Sequence, residues 1–494
     1  MKNNLLAIAA LLICTSLFAQ NTPNIIYILA DDLGYGDLSS LNKNSKIKTI
    51  HLDQLAAAGM VFTDAHTSSS VCTPSRYSIL TGRYNWRTSL QDGVLWSYDP
   101  PLIAKERVTV ASLLKKNGYH TAAIGKWHLG LGWQKDSTGN VDLMKTILDG
   151  PTSHGFDYFY GITASLDIPP YVYIENNKVT ATAIDSIAAS PGPAFWREGP
   201  IGNDFKHAEV LPHLTQKAVD YIGEQQKGKK PFFLYFALPS PHTPILPTAD
   251  YIGKTGTTPY GDFVLMTDAV VGQLVQAVEK AGLTQNTLII FTSDNGAAPA
   301  ANLEQLKEKG HLANYIFRGN KADIYEGGHR VPFIAKWPAI IRAGTVSEVT
   351  ISLTDFMATA AALTDQKLTA NEGEDSFSLL PLFKGTKGYQ RKYTILHSIS
   401  GNFSIRHANW KLAFSYGSGG WSVPDESKAK QLNMPAVQLY NLSADISENN
   451  NLKAKYPSMV EKMIKELNRI IDQGRSTPGP KVNNDVTVDY EKYL

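Results

Sequence analysis

Short apolar runs alternating with stretches of helical period constrain this chain most, because that alternation is what a sheet covered by helices requires. Residues 24–30, 121–124, 231–238, 288–292 and 331–335 read as strands. Residues 52–58, 110–116 and 262–281 read as helices, each closed by a glycine (Gly59, Gly118, Gly282), and Thr109 stands as a cap before the second. The spacing predicts an α/β fold with a large mixed, mainly parallel sheet flanked by helices. From about residue 364 the pattern loosens, and alternation over 393–397, 403–405 and 410–414 predicts a smaller C-terminal antiparallel sheet. A last helix over 456–471 precedes a polar tail expected to pack loosely. The expected organisation is a leader over 1–19, a large domain over 20–380 and a C-terminal α+β subdomain over 381–494, with no internal repeat or low-complexity tract.

With 494 residues, 43% of them hydrophobic, the chain can bury a large core. Its 47 basic and 45 acidic residues leave a formal charge of +2, so no global field would hold nucleic acid or an anionic membrane. Any anion preference is therefore local. Lys2, an apolar run over 5–18 and then Ala19 form a secretory leader cut near Ala19, too short for a transmembrane anchor, which predicts a secreted or periplasmic protein. Lipid attachment at Cys14 ranks second, because Ile13 stands where a lipidated leader carries a small residue. Cleavage after Ala19 leaves Cys72 as the single cysteine, which rules out an internal disulfide. A buried small hydrophobe is the ordinary fate of such a thiol.

The polar residues fall in a regular place. Asp31 and Asp32, Lys126 and His128, His242, and Asp294 with Asn295 each follow a predicted strand. In open α/β sheets the ligand crevice lies at the carboxyl ends of the strands. Three carboxylates and an amide oxygen form a hard-oxygen set suited to Ca²⁺ or Mg²⁺. Taken singly, an Asp-Asp pair is often a helix cap, and Asp-Asn-Gly is a common turn.

Cys72-Thr73-Pro74-Ser75-Arg76-Tyr77-Ser78-Ile79-Leu80-Thr81-Gly82-Arg83 carries the pattern C-x-P-S-R-x-x-x-L-T-G-R and resembles the signature of the type I sulfatases. The resemblance runs from Pro23 to about Pro381, and more weakly through Trp410-Lys411-Leu412 and Leu439-Tyr440-Asn441-Leu442. It takes in Gly125-Lys126-Trp127-His128-Leu129-Gly130, Pro241-His242-Thr243-Pro244, and Gly319-Asn320-Lys321 ahead of Glu326-Gly327-Gly328-His329-Arg330. It implies an alkaline-phosphatase-like fold and a maturation enzyme that oxidises Cys72 to Cα-formylglycine. It also implies a calcium ion, or alternatively magnesium, held by Asp31, Asp32, Asp294, Asn295 and residue 72. One departure, Thr49-Ile50-His51-Leu52-Asp53 in place of Thr-Pro-Asn-Leu-Asp, touches a helix start and not the pocket.

On that resemblance, the cation with Lys126, Lys321 and Arg76 gathers the sulfate. His242, with Lys321, protonates the leaving alcohol, and His128 removes the proton that lets the aldehyde return. Arg76, beside the helix N-terminus, would also stabilise negative charge at position 72, whereas Arg330 is expected to pair with Glu326. The aromatic stretch 158–171 and the 321–330 region look like those of bacterial carbohydrate sulfatases acting on 6-sulfated galactose or N-acetylgalactosamine, with Asp167 and His311 as sugar contacts. A formylglycine-dependent phosphonate or phosphodiester hydrolase would share the nucleophile and fold. A catalytically silent glycan-binding relative would keep an unoxidised thiol. Oligomeric state and internal or terminal cleavage leave no mark in the sequence.

Overall fold

The computed structural model of the chain describes residues 22–228 and 230–491, so the expected leader and Cys14 lie outside the described residues. In chain order the principal strands of the large sheet are β1 (Asn24–Asp31), β2 (Met60–His66), β3 (His120–Lys126), β4 (Tyr158–Ile162), β5 (Phe232–Pro241), β6 (Thr287–Ser293) and β7 (Arg330–Lys336). They lie in the order β2-β7-β6-β1-β5-β3-β4, within a sheet of eleven strands whose remaining members are short edge strands. β1 is buried along its whole length, as continuous apolar runs in a two-face-covered parallel sheet require.

β1 runs parallel to β6 on one side and to β5 on the other, and β3 runs parallel to β5 and β4. Only β7 reverses direction between β6 and β2. The carboxyl ends of β1, β3, β5 and β6 therefore reach one edge, as the strand-end placement of polar residues predicts.

One apolar core packs α1 (Ile50–Ala57), α4 (Val210–Gln225) and α5 (Pro259–Lys280) over one face of the sheet. A second packs α2 (Cys72–Thr81), α3 (Val110–Lys116) and α6 (Phe356–Leu363) over the other. α3 begins at Thr109, whose hydroxyl accepts from Ser112 N–H at 3.0 Å in a capping box. α1 has no cap in its own segment. The Asp268 carboxylate of α5 takes the N–H groups of His51 and Leu52 at 3.1 and 2.7 Å instead.

The smaller sheet is antiparallel, β8 (Thr394–His397), β9 (Phe403–His407), β10 (Trp410–Phe414) and β11 (Val437–Asn441), in sequence order. Helix α7 (Pro457–Asp472) lays Val460, Met463, Leu467, Ile470 and Ile471 into its core, where Tyr84 and Trp86 from the large domain also pack. Buried ion pairs tie the sheets together: Arg406 donates twice to Asp64 at 2.8 Å, and Lys411 reaches Glu326 at 3.2 Å and Glu448 at 2.8 Å.

Two expectations need correction. The tail beyond α7 is not loose: Arg83 donates to both oxygens of Asp485 at 2.9 Å, Arg87 donates to Asn484 at 2.8 Å, and Tyr490 is buried. Arg87 is also held by both oxygens of Asp375 at 2.8 Å, so the tail adds Asp485 and Asn484 to the partners of two buried arginines. The aromatic stretch Tyr158-Phe159-Tyr160 is strand β4, with Phe159 and Tyr160 turned into the cores, and is no sugar platform.

Candidate active site

At the end of β1 the backbone turns through Asp32 at φ +64°, a left-handed conformation in which a non-glycine residue is uncommon. The turn is held from below. Tyr260 of α5 donates its hydroxyl to Asp37 Oδ2 at 2.6 Å and lies 3.0 Å from the Asp32 carbonyl, while His311 bonds the other Asp37 oxygen at 2.8 Å. His311 is fully buried in this layer, so its expected contact with a sugar is corrected: it is a support under the turn. Beside it, Asp294 follows β6 and accepts from Asp32 N–H at 3.2 Å. The tight turn after Asn295 needs glycine, because a Cβ on Gly296 would lie 1.9 Å from the Gly327 carbonyl oxygen.

Helix α2 delivers Cys72 as its first residue, buried. Its sulfur and carboxylate oxygens of Asp31 and Asp294 all lie within 4.8 Å of one another. One turn on, Arg76 grips Asp294 Oδ2 at 2.7 and 3.1 Å, stands 3.5 Å from Asp31 Oδ1 and donates to the Lys126 carbonyl. Arg76 thus acts on the carboxylates as well as lying near residue 72. Lys126 at the end of β3 donates to Asp31 Oδ2 at 2.7 Å, and Lys321 donates to Asp32 Oδ1 at 2.6 Å. His242, following β5, holds its Nδ1 at 2.6 Å from the Thr243 carbonyl and its Nε2 at 3.6 Å from Asp32 Oδ2.

Three cations thus meet three buried carboxylates. Burial pushes the Asp31 carboxyl up, but Lys126, His242, Arg76 and Lys321 together bring it well below the usual range. Burial and then the adjacent Asp31 charge push Asp294 up to about 6, against the pull of Arg76. Burial also raises the Cys72 thiol, against Lys126 and Lys321, so the unmodified sulfur is poorly poised as a thiolate.

His128 has a defined tautomer. Its Nε2 lies 2.8 Å from the Leu95 carbonyl, which can only accept, so Nε2 carries the proton and Nδ1, without a partner among the described residues, is left as a base. Burial, then Lys126 and Arg76, hold this imidazole neutral well below its ordinary pKa.

The donor set fits a hard divalent cation. Among the described residues, Asp31 Oδ1 and Asn295 Oδ1 are buried without a hydrogen-bond partner, while Asn295 Nδ2 donates to Asp32 Oδ1 at 2.7 Å. Oxygens short of hydrogen-bond donors beside two further carboxylates are what an oxygen-seeking cation satisfies, with Arg76 no closer than 3.5 Å to Asp31 Oδ1. A second cluster, His66, Glu326 and His329, has comparable spacing. Arg406 stands 2.7 Å from His66 Nε2 and Lys411 3.0 Å from His329 Nε2, so protein cations already occupy that place. Arg330 pairs with Glu326 at 3.3 Å and donates to the Thr63 carbonyl, the structural position expected of it.

Asp167 lies at the border, 4.0 Å from His242 Nδ1. Its Oδ1 is buried without a hydrogen-bond partner among the described residues, and its Oδ2 is held by Arg197 at 2.6 Å. Arg197, Tyr260, Asp37 and the Leu95 carbonyl were not legible as site residues, because no local motif marks them and each acts across the fold.

Comparisons with known proteins point to one family. The family model described as Sulfatase matches residues 23–366. The chain is 33% identical over 485 residues to an N-acetylgalactosamine-6-O-sulfatase of Bacteroides thetaiotaomicron, covering 91% of this chain and 93% of that protein. It is 33% identical over 489 residues to human arylsulfatase A, covering 95% and 90%. A solved structure from work on glycosaminoglycan metabolism by Bacteroides thetaiotaomicron superposes with a TM-score of 0.80 at 32% identity, covering 91% of this chain and 99% of that one.

Proposed function

Because the chain belongs to the sulfatase family and is a sulfuric ester hydrolase, we propose that it acts on 6-O-sulfate esters of galactose or N-acetylgalactosamine in glycans, through formylglycine made from Cys72. The observation that carries this reading is the convergence of Cys72, Asp31 and Asp294 on one point, ringed by Arg76, Lys126 and Lys321. An N-acetylgalactosamine-6-O-sulfatase aligned over nine-tenths of the chain supports the sugar and the position of the ester. No helix among the described residues is long and apolar enough to cross a membrane. Residues 1–19 are proposed as a leader that exports the protein, residues 20–380 as the catalytic domain and residues 381–494 as its C-terminal subdomain.

Asp31, Asp32, Asp294 and Asn295 would hold a calcium ion, which when bound lowers the pKa of a hydroxyl on residue 72. As a hydrated aldehyde, residue 72 presents two hydroxyls, one to bond sulfur and one whose deprotonation later frees sulfate and restores the aldehyde. Lys126 and Lys321 offer their ammonium groups to the sulfate oxygens, which lowers the cost of bringing an anion to three carboxylates. Arg76 keeps Asp294 and Asp31 in place. His242, its ring oriented by the Thr243 carbonyl, gives a proton from Nε2 to the departing sugar oxygen. His128 takes the proton from the second hydroxyl at its free Nδ1. Asp167 accepts a sugar hydroxyl at Oδ1.

The test is a panel of sulfated mono- and oligosaccharides against protein whose residue 72 has been read by mass spectrometry of its tryptic peptide. Turnover of 6-sulfated sugars by oxidised protein is expected. A thiol that stays unmodified in the native host, with sugar binding and no turnover, would leave the binding-only alternative standing.

A further inference from the structure

Two exposed tryptophans stand on segments tied by hydrogen bonds to the site and take no part in the chemistry above. Trp421 is 50% exposed and stands on a stiff loop of the C-terminal subdomain. The Glu426 carboxylate accepts from the backbone N–H groups of Tyr416, Gly417 and Gly419 at 3.0, 2.9 and 3.1 Å. From the other side, Asp323 accepts from the N–H groups of Trp421 and Ser422 at 2.8 and 3.0 Å and from the Ser422 hydroxyl. Asn320 Nδ2 donates to Ser422 Oγ at 2.7 Å. A Cβ on Gly420 would lie 2.4 Å from the Ala322 carbonyl. The loop is thus laid against both neighbours of Lys321, and Trp421 moves with the segment that carries that lysine.

Trp96 is 51% exposed and follows Leu95. Leu95 N–H donates to Thr73 Oγ1 at 3.3 Å, and its carbonyl receives His128 Nε2. Arg197, the partner of Asp167, stands 5.1 Å from the Trp96 ring centre. The two borders are stitched together: Gly93 N–H donates to the Ile399 carbonyl at 2.7 Å, and Ile399 N–H to the Ala322 carbonyl at 3.1 Å.

A single exposed indole needs no explanation. Two, each on a segment fastened by hydrogen bonds to one bearing a site residue, and one of them backed by the Arg197 guanidinium, offer apolar ring faces on segments tied to a polar, charged floor. That combination fits a pyranose ring, whose C–H face packs on an indole while its hydroxyls stay wet. Resting on the carbohydrate sulfatase reading, we propose that Trp421, together with Trp96, stacks sugar rings beyond the sulfated one, so that the preferred substrate is an oligosaccharide and the C-terminal subdomain helps select it.

The experiment compares kcat/KM for N-acetylgalactosamine 6-sulfate with that for a tetrasaccharide ending in the same residue, in the wild type, W421A and W421F. The ratio of tetrasaccharide to monosaccharide is expected to fall about three- to tenfold in W421A, the size of one aromatic contact, mainly through KM. W421F should restore most of it. An unchanged ratio in W421A overturns the proposal, whatever happens to the absolute rates, because general damage lowers both values together. Wild-type protein that cleaves 4-nitrophenyl sulfate but neither sugar removes the carbohydrate reading and this proposal with it, so the two failures are told apart.

Discussion

At residue 72 the structure sets a thiol whose pKa is raised by burial and by two adjacent carboxylates, against the pull of Lys126 and Lys321. The position makes sense once the side chain is an aldehyde, which needs no ionisation to accept water. Cys72→Ala is therefore expected to fold normally, as far-ultraviolet circular dichroism would show, and to lose at least about a thousandfold in turnover of sulfated sugars. His242 offers a sharper test. If it donates the proton to the leaving oxygen, His242→Ala should lower kcat on a sugar sulfate by about 10² to 10⁴. It should do far less to 4-nitrophenyl sulfate, whose leaving group needs no proton. Equal losses on both substrates would assign the ring to sulfate binding instead.

Elements were legible where local chemistry sets them and obscure where it does not. α3 falls over the residues its period predicts because Thr109 caps it and Asn117-Gly118 ends it. Thr109 also donates to the His154 carbonyl at 2.6 Å. Thr109→Ala should therefore cost about 1 to 2 kcal/mol, read as a lower urea midpoint at unchanged m-value. By contrast, strand β2 escapes the pattern because Asp64 and His66 interrupt its apolar run. Both are buried, and Arg406, from the other sheet, donates twice to Asp64 and stands 2.7 Å from His66 Nε2. α1 begins two residues before its apolar period does, since its cap, Asp268, comes from α5.

Across the whole molecule, the join between the two sheets should govern stability in acid. Burial, its largest cause, lowers the pKa of both His66 and His329 in the folded state, so they are held neutral there. The unfolded chain binds protons at both once the pH drops below about 6.5, and stability present above that value is lost as pH falls. Lys411 and Arg406 hold Glu326 well below the usual range against its burial, which adds loss at lower pH. Glu448, pushed up to about 6 by burial, works the other way between that value and its unfolded pKa. Among the described residues burial lowers the pKa of six imidazoles in this way, His66, His128, His154, His207, His213 and His329, against four carboxyls it raises, Asp268, Asp294, Asp323 and Glu448. The melting temperature should therefore fall between pH 7.5 and 5, and a flat or rising profile by calorimetry would contradict this account.

What the sequence determined alone was whatever repeats at short range: the α/β alternation, the helix caps and stops, and polar residues placed just past apolar runs. The twelve-residue pattern at Cys72 belongs here too, since all its members lie on one helix and its exit. What only the tertiary structure decided was which charge answers which: Arg76 on Asp294, Lys321 on Asp32, His311 under the turn instead of beside a sugar, and Asp485 of the tail on Arg83. These partners stand more than two hundred residues apart in the chain. Their pairing follows from the cost of leaving a buried charge unmet, a quantity defined only once the chain has closed around it.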